Sequence, residues 1–487
     1  MFNIKRSYYL FGVLLLVYLF PIIKADRYFI DDYNRSFLGY LSWSDNGRPL
    51  ADIVMTILNF NTTISDLSPL TQLLGVASLF VILLFVIKTK LIGEIHSAFC
   101  ALCIIICPFM LETLSYAYDS LPMLLSIACV CAPFCFSYRN YATQFLAHFI
   151  LIVCSLCLYQ ASLGLYVIFA LLMYTSKDNN SKDGLLYLIC NAITVAISYV
   201  FYSKIIAKHF ISGGYSINRS EMIDFSQTGS LQHFFNNIYK YIDFLSLAFP
   251  KPFAIITISL ILLGAIGLSV RAIKILKYKT SYSMLAALIT ILSPLVLFVI
   301  IFAPLSILAN PPIMSRVLSS VGAVMMFFMI YAFTLKSKPA YLLTCLVVTL
   351  FLLYSYSTVY AYGNAQKRQK DFEQYTISLM QNDVSNFSES KYIDLYGTAP
   401  TSPVSSLIVS QHPVMAWMVL PNITFRDEWR TNITLSNFRF QNKYKKGSYP
   451  GDVELPLCGD IIRKYNGLYT LFKSDGVLLF YFKETCK

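Results

Sequence analysis

The stretch SYYLFGVLLLVYLFPIIKADRYFIDDYNRSFLGYLSWSDNGRPL, residues 7–50, sets grease directly against charge. Residues 7–23 are an apolar run behind Lys5 and Arg6. No small-residue cleavage site follows Ile23, so the run reads as a retained span rather than a signal peptide. Just beyond it stand Asp31, Asp32 and Arg35, then Asp45 and Arg48, in a chain that is only 13% charged. Pro49 then opens a helix, since its missing N–H costs nothing in a first turn. Leu50, Ile53, Val54, Ile57 and Leu58 follow at the spacing of one apolar stripe. A short helix of this kind between two spans lies along the membrane surface and holds the acidic pair near the headgroups. Packing against the rest of the protein is the plainer alternative.

The whole chain is of the same kind. It has 487 residues, 56% of them hydrophobic, and a mean hydropathy of +0.60. A soluble protein carries about 25% charged residues, so the composition predicts a polytopic α-helical membrane protein. Apolar runs able to cross about 30 Å of hydrocarbon fall at 7–23, 69–87, 95–112, 120–137, 142–158, 160–176, 184–203, 252–270, 283–303, 315–335 and 339–358, eleven in all. The net charge of +12 sits mostly in short loops. No basic face with interleaved aromatics appears, which argues against nucleic-acid binding.

Topology follows from the cations. With a cytoplasmic N-terminus, the inside loops hold Lys88 and Lys90, Arg139, Lys177 and Lys182, Arg271 to Lys279, and Lys336 and Lys338, as the positive-inside rule requires. The large outside segments are then 24–68, 204–251 and a tail beyond about 360. The expected division is a membrane domain over 1–360 and an outer α/β or α+β domain over 361–487. In that tail, 364–387 continues the last span as helix, YIDLY at 392–396 is a strand, and 469–482 is a hairpin turning on Asp475-Gly476. Cys458 and Cys486 bracket the hairpin and are expected to form a disulfide in an oxidising compartment. Cys100, Cys103 and Cys107 share a helix face without His or carboxylate partners, so small apolar packing is preferred to a metal site.

No span carries Lys, Arg, Asp or Glu near its middle, which suits ion-coupled transport poorly. Asp31, Asp32, Asp45, Glu112, Asp119, Lys204, Lys208 and Arg316 collect instead at the outer rim, as expected for an enzyme acting on a lipid-linked substrate. A first span, an outward acidic pair, a surface helix, many spans and an outer C-terminal domain together resemble the GT-C membrane glycosyltransferases. FIDDYNRSFLGYLSWSDNGRPLAD at 29–52, SYAYDS at 115–120 and LYQASLGLYVIFAL at 158–171 resemble, more closely, the type II serotype-converting O-antigen glucosyltransferases of enteric bacteria and their phages.

That resemblance implies a bacterial inner-membrane hexosyltransferase with its C-terminal domain in the periplasm. Its donor would be polyprenyl-phosphate-glucose and its acceptor a hydroxyl of lipid-linked O-antigen. A flippase and a donor-synthesising enzyme would act in the same pathway. It also implies an inverting displacement, without cofactor or metal. Such a transfer needs a base for the acceptor proton, and a carboxylate beside another has its pKa raised by like-charge repulsion. Asp31 or Asp32 is the candidate base; the alternative is a helix cap or an ion pair with Arg35. Nearby negative charge also favours an oxocarbenium-like transition state.

Arg316, after Asn310-Pro311-Pro312, is the candidate clamp for the leaving phosphate, or else a snorkelling interface arginine. Asp45 and Arg48 are expected to close the turn before the surface helix as an ion pair, with sugar binding as the second reading. Trp43 reads as an interface aromatic before a stacking platform. Glu112, Asp119, Tyr159 and Gln160 complete the candidate substrate-binding set. A polysaccharide flippase, an O-antigen polymerase or another polyprenyl-phosphate-sugar transferase are the competing functions. The flippase predicts internal repeats and mid-span charge, neither of which the chain shows.

Overall fold

The computed structural model describes residues 2–483 except 178–181, 213, 425–426, 441–442, 451–452, 455, 457 and 466. It is mostly helical with one small C-terminal sheet. It divides into two compact units: residues 1–20 with 40–360, and residues 21–39 with 361–487. The segment carrying Asp31 and Asp32 is therefore grouped with the C-terminal part of the chain and not with the spans.

Among the described residues of the chain, eight helices are long and apolar enough to cross a membrane: Arg6–Ala25, Leu70–Thr89, Tyr141–Leu158, Lys182–Phe210, Lys251–Leu276, Ser281–Ser306, Ser315–Phe333 and Lys338–Asn386. The runs expected at 95–112 and 120–137 are the shorter helices Glu94–Ile106 and Ser120–Cys135, while the run expected at 160–176 is helical over its whole length as Gln160–Ser176. The first of them stops at Cys107, which is extended and precedes Pro108, before the chain resumes helix at Met110–Ser115. Nearly every residue from Ser97 to Leu124 is buried. Protein, not lipid, surrounds this backbone, and a broken helix is tolerated where neighbours satisfy it.

Helices apolar on all sides belong at the centre of a bundle. Ser320–Phe333 is one of them, with residues 320–332 all buried. Lys251–Leu276 packs along it through two glycines. A Cβ added at Gly264 would lie 2.5 Å from the carbonyl oxygen of Phe328, and one at Gly267 would collide with that of Tyr331. The backbones touch there, the small-residue contact that substitutes for a hydrophobic drive inside a membrane. Gly267→Ala is expected to destabilise the folded chain by about 1–3 kcal/mol through overpacking, read as a lowered melting temperature in detergent. An unchanged melt would show that the helices separate at no cost.

The helix expected after Pro49 is present at Pro49–Asn59. Ala51 and Met55 are buried, while Ile53, Ile57 and Phe60 form an exposed apolar stripe at 53%, 65% and 95% exposure. That stripe is what a helix lying in the headgroup region needs. The expected loop 204–251 is shortened, because Lys182–Phe210 stays helical past Tyr202 through a π-turn at Tyr202–Ala207. Helices Gly214–Ser220 and Ser230–Leu247 occupy the rest.

In the second unit, β1 (Tyr392–Tyr396), β2 (Lys443–Tyr444), β3 (Ile461–Tyr465), β4 (Tyr469–Ser474) and β5 (Val477–Tyr481) form one sheet in the order β2-β1-β5-β4-β3. β1 runs parallel to β2 and β5, and the β3–β4–β5 meander is antiparallel. The hairpin turns as expected on Asp475 and Gly476, both left-handed with φ 46° and 75°, the geometry of a type I′ turn. Central β5 is buried along its whole length. Its side chains alternate between two clusters: Leu478 and Phe480 with Ile377, Met380 and Val384 of the long helix, and Val477, Leu479 and Tyr481 with Tyr449 and Phe472. Cys458 is disulfide-bonded; its expected partner Cys486 lies outside the described residues.

Candidate active site

In the first unit, six of the expected residues come together where several helices end. The turn before the Pro49 helix is closed by Asp52, not by an Asp45–Arg48 ion pair. Asp52, in the first turn of Pro49–Asn59, accepts the backbone N–H groups of Trp43 at 2.9 Å and Ser44 at 2.8 Å. A carboxylate one turn into a helix reaches the amides that precede it, as a capping residue does. Asp45 is exposed and accepts the Ser212 hydroxyl at 3.0 Å.

Arg48 is thereby turned inward. Its Nε donates to Gln160 Oε1 at 3.1 Å, its Nη1 lies 4.0 Å from Asp119 Oδ1, and its guanidinium covers the Tyr159 ring at 4.7 Å. Gln160 Nε2 donates to the Asn46 carbonyl at 2.9 Å and to the Tyr202 hydroxyl at 2.7 Å, fixing the turn. Trp43 is not an interface aromatic. It is 1% exposed and its indole N–H donates to Asp119 Oδ1 at 2.6 Å.

A second arginine repeats the motif. Arg316 donates its backbone N–H to Glu112 Oε2 at 2.9 Å, sets its Nε 3.6 Å from Glu112 Oε1, and lies over the Tyr116 ring at 5.1 Å while bonding the Tyr116 hydroxyl. Its side chain is 17% exposed and held by Glu112 and Tyr116, not extended into solvent as a snorkelling arginine is. The Asn310-Pro311-Pro312 break that precedes it is held by Arg219, which donates to the Asn310 carbonyl at 3.1 Å, and by Tyr241, whose hydroxyl donates to the Pro312 carbonyl at 3.0 Å.

Tyr159 joins the two pairs electrostatically. Burial pushes its phenol pKa up, Arg316 and Arg48 pull it down, and Glu112 and Asp119 push it up again. The buried hydroxyls of Tyr159, Ser120, Ser315 and Ser319 make no hydrogen bond with the described residues. Buried polar groups are normally paired, so these four hold hydrogen-bonding capacity that the described residues leave unused. Tyr116, Asp52 and Tyr202 were not singled out from the sequence; each lies beside a residue that was, but only the folded chain pairs them. Lys204 and Lys208 lie on the π-turn and the short helix after it.

In the second unit, Asp31 and Asp32 open the helix Asp31–Leu38. Asp32 is fully buried, and its Oδ2 accepts the Phe29 N–H at 3.0 Å while its own N–H donates to the Phe29 carbonyl at 3.0 Å. The residue at the N-cap is Ile30, with no side-chain cap, so neither aspartate takes the capping role that was the alternative reading of the pair. Asp31 is partly exposed. Ile30, just before, has φ 42° and ψ −96°, a conformation that β-branched residues avoid and that marks stored strain. Arg35 is buried on the same helix and its carbonyl accepts the Gly39 N–H at 2.8 Å.

The same unit buries a network that sequence reasoning did not find. Arg27 Nη2 donates to Glu373 Oε1 at 2.9 Å, and the guanidinium also bonds Gln366 and the Leu420 carbonyl. Asn422 donates its backbone and side-chain N–H groups to Glu373 at 3.0 and 2.9 Å and bonds the Tyr33 hydroxyl. Burial alone would lower the Arg27 pKa, but Glu373 and Tyr33 hold it above its ordinary value.

A family model described as "Glucosyl transferase GtrII" matches residues 20–333, which include both aspartates and both arginine clusters. A protein of Salmonella phage P22, named only as an uncharacterized 55.3 kDa protein in the gtrB 5′ region, is 31% identical over 446 residues, 89% of this chain and 90% of its own length. No solved structure matches. By sequence and by its apolar helices this is a membrane protein, and it belongs to the GtrII glucosyl transferase family.

Proposed function

We propose that this glucosyltransferase moves glucose from polyprenyl-phosphate-glucose to a hydroxyl of lipid-linked O-antigen at the periplasmic face of the bacterial inner membrane. A GT-C architecture of eleven spans with an outer C-terminal domain goes with that reading. So does a pathway in which a flippase and a donor-synthesising enzyme supply the donor. The supporting observation is the paired Arg–carboxylate–tyrosine motif at one end of the bundle, with buried hydroxyls left for a ligand. Guanidinium groups suit phosphate oxygens bidentately, and aromatic faces with spare hydroxyls suit a sugar ring.

Asp31 is the proposed base, with Asp32 positioning it through its hydrogen bond to the Phe29 N–H. Asp31 takes the acceptor hydroxyl proton, and the freed oxygen attacks the anomeric carbon. The bond from that carbon to the phosphate oxygen breaks, and the phosphate leaves with the electron pair. A single displacement inverts the centre, so a β-linked donor gives an α-linked product. Arg316 and Arg48 take the growing charge on the phosphate. Asp119, Glu112, Tyr159 and Gln160 hold the guanidiniums and the sugar, and Arg35 and Asp45 hold the flanking backbone.

The test is expression in a strain of defined O-antigen that supplies the donor, followed by mass analysis of the glycan. Added hexose supports the reading, and none in several antigen backgrounds would sink it. Arg316→Ala is expected to lower kcat/KM by about 10- to 100-fold, the worth of one or two hydrogen bonds to a charged group. Arg316→Lys is expected to recover little, since an ammonium lacks the planar fork. Equal activity of Arg316→Lys and wild type would reduce the arginine to a point charge.

A further inference from the structure

A polar cavity lies far from this cluster. It encloses about 450 Å³ and is lined by Lys88, Arg139 and Lys177, with Asp183 the one carboxylate on its wall among the described residues. Helix Tyr141–Leu158 relates it to the candidate active site. Tyr141 lines the cavity, and the other end of the helix leads into Tyr159 and Gln160. Its 18 residues separate the two by about 27 Å at 1.5 Å per residue. The cavity thus belongs to the opposite end of the bundle and plays no part in the proposed transfer.

The cavity has the chemistry of an anion site. The Asn140 side chain caps Tyr141–Leu158 through the Thr143 N–H at 2.9 Å, which brings the positive end of that helix to the wall. Lys88 is fixed by the Phe136 carbonyl, and Lys177 sits over the Tyr187 ring at 5.7 Å. Two of the three ammonium and guanidinium groups are therefore held in place before any ligand arrives. Asn140 and Gln144 add neutral hydrogen-bonding groups on the same wall.

The surroundings point to a lipid as the source of the anion. The cavity lies where Leu70–Thr89, Tyr141–Leu158 and Lys182–Phe210 reach one end, the level at which helices that span a bilayer meet its headgroups. Phe134 and Met173 form an apolar wall, and Phe136 and Tyr141 are 62% and 43% exposed beside it. A soluble phosphate has no use for exposed aromatics next to three cations, whereas a phospholipid has glycerol and acyl carbons to set against them. Basic pockets between spans are of the kind that takes anionic headgroups. We propose that this cavity binds the phosphodiester headgroup of an anionic glycerophospholipid such as phosphatidylglycerol, with Lys88, Arg139 and Lys177 as its ligands.

The full chain, in nanodiscs of mixed phosphatidylglycerol and phosphatidylcholine, is released into detergent and its retained lipid measured by native mass spectrometry. Retention of phosphatidylglycerol over phosphatidylcholine is expected, and its preference is expected to fall about fivefold for each cation removed, at ~1 kcal/mol per basic residue. Arg139→Gln is the safest single variant, since Arg139 is exposed; the triple Lys88→Gln, Arg139→Gln, Lys177→Gln variant should show no preference. Melting in neutral detergent separates loss of binding from loss of fold. A wild type without preference, or a folded triple variant that keeps it, would overturn the site. Displacement of the lipid by millimolar inorganic phosphate would overturn the lipid and leave a free-phosphate site.

Discussion

Replacing Asp31 by asparagine is expected to lower glucosyl transfer by about 10²- to 10⁴-fold, the range that a positioned general base contributes. Asparagine keeps the shape of aspartate but cannot take the acceptor proton. Asp31 starts its helix partly exposed, so the substitution should leave the fold intact. Asp32→Asn supplies the contrast. Its side-chain oxygen still accepts the Phe29 N–H that Asp32 now holds at 3.0 Å, so transfer should fall far less. Asp32→Ala removes that hydrogen bond and should cost about 1 kcal/mol of stability. Rates of hexose addition are compared at equal amounts of membrane-inserted protein. A wild-type rate in Asp31→Asn removes it as base, and a larger loss in Asp32→Asn moves the role to its neighbour.

The parts of this molecule that the sequence made legible are those whose signal is local. The apolar runs mark helices because hydropathy needs only consecutive residues. The Pro49 helix was readable from five apolar positions and one proline, and the hairpin from Asp475-Gly476 between alternating strands. The early end of the helix in the run 95–112 was not readable. Hydropathy cannot tell an apolar helix that faces lipid from one packed in protein, where the chain is free to break at Cys107 and Pro108. Pairings across long separations were also hidden. Arg48 was expected to pair with Asp45, three residues away, but Asp52 takes the turn and Gln160 takes the arginine. Trp43 looked like an interface residue because nothing near it in sequence announces Asp119 as its acceptor.

Glu373 illustrates the same limit and carries the largest expected effect on stability. It lies mid-helix in the charged part of Lys338–Asn386, where a glutamate ordinarily faces solvent. Instead its carboxylate accepts the Arg27 guanidinium, the Gln369 amide at 3.1 Å and both N–H groups of Asn422. Side-chain exposure is 3% for Arg27 and 8% for Glu373. Glu373→Ala leaves a buried guanidinium with its main counter-charge gone, and should destabilise the chain by about 3–5 kcal/mol. Arg27→Met should be similarly costly, since it strands the carboxylate. The double variant Arg27→Met, Glu373→Leu should cost less than the two single changes added together, because no charge is left behind. Denaturant unfolding of the full chain in micelles, followed by a probe on the C-terminal sheet, measures all three. Additive losses would mean that the two side chains act independently, and that the network merely coincides with the fold it was taken to hold.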